Sequence, residues 1–109
     1  AKVLGAKFET FVFDALGRST TSVSLEVERA HEFSPVKIRS GQDSPATARR
    51  DLCLLHASWA RAAGLELPAA TVEGEPAVEI DPCLAEDLDG FRRLGRPRPE
   101  PRAGGHWYR

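Results

Sequence analysis

Residues 44 to 65 read SPATARRDLCLLHASWARAAGL, and nearly every position argues for one long helix. Ser44 is a good N-cap, because its hydroxyl can accept a hydrogen bond from a free N–H of the first turn. Pro45 follows at the first helical position, where a missing N–H costs nothing and the fixed φ is already helical. Ala48, Leu52, Leu55, Trp59 and Ala62 then recur at helical spacing. Gly64 stands where a left-handed residue ends a helix, and Leu65 is placed to fold back on the last turn. The spacing predicts a helix over 44–63 of about five turns, and its apolar stripe must dock on another surface. Cys53 and His56 lie on it. With no second ligand at a helical step, both read as core or boundary residues and not as a nucleophile or metal ligand.

Upstream, residues 6 to 16, AKFETFVFDAL, place Phe8, Phe11, Val12 and Ala15 at helical spacing, with Gly17 as the stop. The same letters allow a strand, since Phe11 and Phe13 alternate with Val12 and Asp14; the periodicity favours the helix. Residues 22 to 28, SVSLEVE, alternate cleanly and predict a strand with Val23, Leu25 and Val27 on its buried face. His31 reads as a loop residue. The strand would deliver the chain to residues 32 to 37, EFSPVK, where Pro35 forces Ser34 out of helical geometry and Lys37 stands at the tip. In an arbitrary chain such a lysine is a solvated loop residue.

Downstream of the long helix the character changes. Residues 65 to 90 hold eight acidic side chains and no basic ones, and Pro68, Pro76 and Pro82 break any long element. AVEI, 77 to 80, suits one short strand. Residues 91 to 109, FRRLGRPRPEPRAGGHWYR, hold six arginines, one glutamate and three prolines, a composition that predicts extended, polyproline-like or disordered chain. Trp107 and Tyr108 beside those arginines give an alternative reading: a small interaction module that binds a protein or single-stranded nucleic acid through its basic tail. The acidic segment just upstream competes for the same arginines.

The remaining constraints are mostly exclusions. A chain of 109 residues with 41% hydrophobic and 28% charged content suits one small domain. A net charge of −1 gives no reason to expect a nucleic-acid or membrane partner for the chain as a whole. No apolar run reaches the length of a membrane span, and no charged start followed by an apolar stretch marks a secretory signal in these residues. Cys53 and Cys83 lack metal-ligand spacing and disulfide density, so reduced thiols and a cytoplasmic location are expected. His31, His56 and His106 sit in unrelated contexts, and AGG at 103–105 precedes an aromatic pair instead of a phosphate-cradling helix. The chain opens on Ala, which suggests a piece of something longer.

Three segments, in order and in register, carry the reading further: KFETFVFD at 7–14, EFSPVK at 32–37 and DSPATARRDLCLLHASW at 43–59. Together they resemble the C-terminal part of the eukaryotic-type UDP-sugar pyrophosphorylases, most closely those for UDP-N-acetylhexosamine (UDP-N-acetylglucosamine). The resemblance covers roughly residues 4 to 65, extends loosely to AVEIDPCL, and does not include the tail. It implies an α+β fragment: the tail end of an α/β (Rossmann-like) nucleotidyltransferase catalytic domain plus a small C-terminal α/β segment. Residues 1–40 would end the catalytic domain, 41–90 with the helix 44–63 would form the small C-terminal domain, and 91–109 would be an Arg/Pro-rich tail.

That family joins UTP to a sugar 1-phosphate, releasing pyrophosphate, with Mg²⁺. Nucleotidyl transfer rests on positioning and on cancelling phosphate charge, work suited to lysine as a mobile point charge. By resemblance, Lys7 contacts the UTP phosphates, Lys37 holds the sugar phosphate as the catalytic lysine, and Phe11 and Phe13 lie near the N-acetyl arm of the sugar. The two lysines would then meet on one concave face. Two departures accompany the match. The family's Gly-Gly-x-Gly-Thr-Arg loop, its uracil-reading residues and its metal ligands lie in an N-terminal domain that is missing here, and Ile38 replaces the asparagine after the turn lysine. The resemblance therefore implies a C-terminal fragment of such a protein, or a degenerate relative, inactive alone, with the N-terminal domain as its partner and exposed apolar surface that could self-associate.

Overall fold

A computed structural model describes residues 4–109. The long helix forms as the sequence dictates and organises everything after it. We call it α2, Pro45–Ala62; a short helix α1, Arg29–Glu32, precedes it. Ser44 is fully buried, and its Oγ accepts from the Thr47 N–H at 3.4 Å while Thr47 Oγ1 accepts from the Ser44 N–H at 3.0 Å. This reciprocal cap satisfies donors that a helix start otherwise leaves free. At the other end Gly64 takes φ +72°, the Leu65 N–H reaches the Ala60 carbonyl at 2.9 Å, and the Gly64 N–H reaches Arg61 at 2.9 Å. Both bonds belong to the left-handed stop expected at that glycine.

Five short strands in three pairings complete the domain with a third helix. Strands β1 (Thr71–Val72) and β2 (Glu75–Pro76) make a small antiparallel hairpin. Strands β3 (Val78–Ile80), β4 (Glu100–Arg102) and β5 (Gly105–Tyr108) form a sheet ordered β3-β5-β4, with β3 parallel to β5 and β4 antiparallel to it. Helix α3, Leu88–Arg93, lies in the connection from β3 to β4. The core gathers Ala57 and Ala60 of α2, Val78 and Ile80 of β3, Ala85, Phe91 of α3 and Tyr108 of β5. Phe91 and Tyr108 meet edge to face with ring centres 5.3 Å apart, a favoured aromatic geometry. Gly105 is required at its position, since a Cβ there would come within 2.6 Å of the Ala77 carbonyl oxygen. The result is a small mixed α/β domain.

Several sequence expectations need correction. The expected strand at 22–28 is absent: Val23 and Leu25 are 96% and 85% exposed, and no neighbouring strand completes their hydrogen bonds. The chain enters EFSPVK from helix α1, not from a strand, and His31 lies in that helix instead of a loop. The helix expected over 6–16 is displaced to a 3₁₀ turn at Val12–Arg18, with Gly17 inside it. Phe8, at 94% exposure, finds no surface to pack on, and an unsupported short helix is marginal in water.

The largest correction concerns residues 91–109. They are neither extended tail nor disorder, but supply the end of α3, the β4–β5 hairpin and two of the best-buried aromatics. Ala103 and Gly104, with φ of +46° and +80°, make the tight turn that pairs the two strands. The radius of gyration is 18.7 Å, against about 13 Å for a compact domain of this length. The excess comes from the front of the chain, where residues 4–34 are exposed throughout.

Candidate functional site

The EFSPVK turn packs against the beginning of α2, and the fastening is specific. Ser34 Oγ donates to Asp51 Oδ2 at 2.7 Å, and Arg50 donates to Asp51 Oδ1 through Nε at 2.9 Å and Nη2 at 2.7 Å. The Ser34 hydrogen bond, opposed by burial and aided by Arg50, holds the Asp51 carboxyl below the usual carboxylate range. The N–H groups of Lys37 and Ile38 both donate to the Asp43 carbonyl, at 2.7 and 3.1 Å. Asp43 accepts this pairing from a left-handed backbone, φ +59°, a conformation that Asp and Asn tolerate better than most residues.

A cavity of about 430 Å³ lies along this joint, lined by polar groups that include Arg29, Ser34, Asp43, Arg50 and Asp51. Arg29 covers the Phe33 ring at 4.3 Å, bringing its charge to the same wall. Lys37 stands at the rim, its Nζ 3.2 Å from Asp43 Oδ2. The charged lining is balanced, Arg29 and Arg50 against Asp43 and Asp51, and Lys37 adds one further positive charge from the rim beside Asp43.

The other sequence-derived site residues lie on the exposed front segment. Lys7 pairs with Glu9 at 2.6 Å. Phe11 and Phe13 stack edge to face, 5.1 Å between ring centres, and remain 58% and 67% exposed. The structure thus brings the two phenylalanines together and places Lys37 beside a built polar cavity. Sequence reasoning did not single out Arg50, Asp51 or Asp43, although all three fall within or beside the helix-opening segment that carried the resemblance.

Two groups set aside earlier also find roles. His56 is buried and accepts the Ile80 N–H on Nδ1 at 3.1 Å. Burial lowers its pKa to about 4, a backbone bond to Val78 opposing part of the effect. Cys53 is buried and free, its thiol pushed up chiefly by burial, while Cys83 is exposed and free. In the tail, Arg102 sits 3.3 Å from the centre of the Trp107 ring and Tyr108 is buried. The aromatics that suggested a stacking platform for nucleic acid are engaged within the domain. No group of three or more His, Cys, Asp or Glu side chains is gathered for a metal ion among the described residues. No described helix is long and apolar enough to cross a membrane.

Comparison with known proteins agrees with the motifs. No family model and no solved structure matches the chain. Curated relatives do. A human UDP-N-acetylhexosamine pyrophosphorylase-like protein 1 is 37% identical over 80% of this chain, and its Xenopus tropicalis counterpart 47% over 82%. The UDP-N-acetylglucosamine diphosphorylase 2 of Arabidopsis thaliana is 35% identical over 88%. The match takes in only 20%, 21% and 20% of those three proteins. The chain is therefore homologous to one segment, about a fifth of the whole, of the UDP-N-acetylhexosamine pyrophosphorylases and their like.

Proposed function

We propose that the chain is the C-terminal part of a uridylyltransferase that makes a UDP-N-acetylhexosamine and pyrophosphate from UTP and the sugar 1-phosphate. The observation that carries this reading is the EFSPVK turn, which belongs to the segments of resemblance and is fastened to α2 beside a polar cavity with Lys37 at its rim. Lys37 would neutralise the sugar phosphate, Lys7 the UTP phosphates, and the Phe11–Phe13 pair would pack against the acetyl methyl. The exposed front segment, residues 4–34, would complete a Rossmann-like catalytic domain supplied by the rest of the protein. Its apolar side chains, Phe8, Val23 and Leu25 among them, are the ones that such a domain would cover. Mg²⁺ belongs to this chemistry in the family, and the described residues offer no ligand set for it.

The test is UTP-dependent pyrophosphate release. The 109-residue chain alone is expected to show none, and the protein with its N-terminal domain is expected to turn over. Lys37→Ala in that longer protein should cost about a hundredfold or more in kcat/KM, the scale of losing one preorganised charge-stabilising group. Turnover by the isolated chain, or full activity of Lys37→Ala, would remove the proposal.

A further inference from the structure

We propose that the Asp43 carboxylate is a built-in occupant of the phosphate position at Lys37, one that an incoming phosphate must displace and that keeps weaker anions out. The inference rests on the reading of Lys37 as a phosphate ligand and adds a specificity residue to that site. Asp43 does not meet Lys37 by chance of rotamer. Its carbonyl is clamped by the N–H groups of Lys37 and Ile38, and its successor Ser44 is the buried cap of α2. The main chain therefore holds the carboxylate within reach of the lysine, Oδ2 to Nζ 3.2 Å.

The neighbouring charges sharpen the assignment. Asp51, the other carboxylate of the cavity, is occupied by Ser34 and Arg50. Asp43 meets Lys37 at the open rim, where the two side chains are 32% and 61% exposed, so exchange with an anion from solvent is unobstructed. An ion pair this exposed is weak. A phosphate dianion, attracted also by Arg29 on the same wall, has twice the charge with which to replace it. A monoanion has no such advantage. Because the Lys37 and Ile38 N–H groups are already spent on Asp43, the lysine ammonium is what the turn itself offers the incoming group.

Asp43→Asn isolates the charge, since asparagine also tolerates the left-handed backbone and leaves the clamped carbonyl in place. The experiment titrates inorganic phosphate into the labelled 109-residue chain, following the Lys37 and Ile38 amide resonances in wild type, Asp43→Asn and Lys37→Ala. The Tyr108 amide serves as the control for folding. Asp43→Asn is expected to bind phosphate about two- to fivefold more tightly than wild type and to respond to chloride at concentrations where wild type does not. Lys37→Ala should lose the response. Equal affinity in wild type and Asp43→Asn, with loss in Lys37→Ala, overturns the role of Asp43 alone. Undiminished binding by Lys37→Ala overturns the phosphate reading of Lys37 and the proposal with it, as does the absence of a response in all three.

Discussion

Ile80 donates its backbone N–H to Nδ1 of His56, 3.1 Å away, and this bond ties the long helix to the first strand of the sheet. The acceptor must be unprotonated, so the bond and a pKa lowered to about 4 describe the same physical situation. The unfolded chain binds that proton with a pKa near 6.5, hence more readily than the folded one. Stability from His56 is therefore complete above about pH 6.5 and lost as pH falls toward 4. The linkage amounts to at most about 3 kcal/mol. Urea unfolding at pH 7 and pH 4.5 should show the difference. In His56→Leu the part of that difference due to this side chain should vanish, at the cost of a lower baseline from the unpaired Ile80 N–H.

The core and the front of the chain should respond oppositely to the same substitution. Phe91 is fully buried against Tyr108, so Phe91→Ala is expected to cost about 3–5 kcal/mol. Phe8, 94% exposed, should change the stability of the 109-residue chain by less than about 0.5 kcal/mol when replaced by alanine. Paired denaturation curves measure both, and a large loss at Phe8 would mean that the front segment packs on the domain.

Ser44→Ala removes a cap hydroxyl that accepts from Thr47 and donates to the Gly41 carbonyl at 2.6 Å. Expected destabilisation is about 1–2 kcal/mol, because the group is buried as well as capping. Amide exchange should rise first at Thr47 and Ala48, at the helix start.

Ser34→Ala tests the joint between the turn and α2. With the largest influence on Asp51 removed, its carboxyl pKa should rise toward the ordinary value, as read from side-chain carboxyl shifts. Stability that Asp51 contributes is present above its unfolded pKa and disappears as pH falls through the folded one. The variant should therefore be less sensitive to acid in that range. An unchanged Asp51 titration would show that Arg50 alone sets its charge.

The long helix was legible because cap, stop and apolar period all speak locally, from Ser44 to Gly64. Its buried face was less so. Cys53, Ala57 and Ala60 turn inward, small residues that let β3 approach, while Leu52 and Leu54 stay 46% and 41% exposed. Residues 22–28 misled because alternation records which face of a strand would be buried, not whether a partner strand is present. The tail misled for the opposite reason. Its prolines and arginines have the composition of an open chain, yet Pro101 sits in an edge strand, where no ladder hydrogen bond is required of it. Phe91, Trp107 and Tyr108 were the local sign that this stretch had something to bury. Lys37 was singled out only through resemblance. The groups that hold its turn, Asp43 and Asp51, became visible when the turn was folded onto α2.

The sheet order has a consequence for how the domain is made. Its middle strand, β5, is the last of the described elements to leave the ribosome, whereas β3, one of its two neighbours, emerges much earlier. The sheet cannot grow strand by strand in the order of synthesis. Until residues 105–108 arrive, β3 waits with an unfilled edge and Phe91 lacks its aromatic partner. Nascent chains halted before that point should remain open to proteases and chaperones. A premature stop a few codons upstream of Gly105 would thus act on the whole domain, as though its centre had been removed.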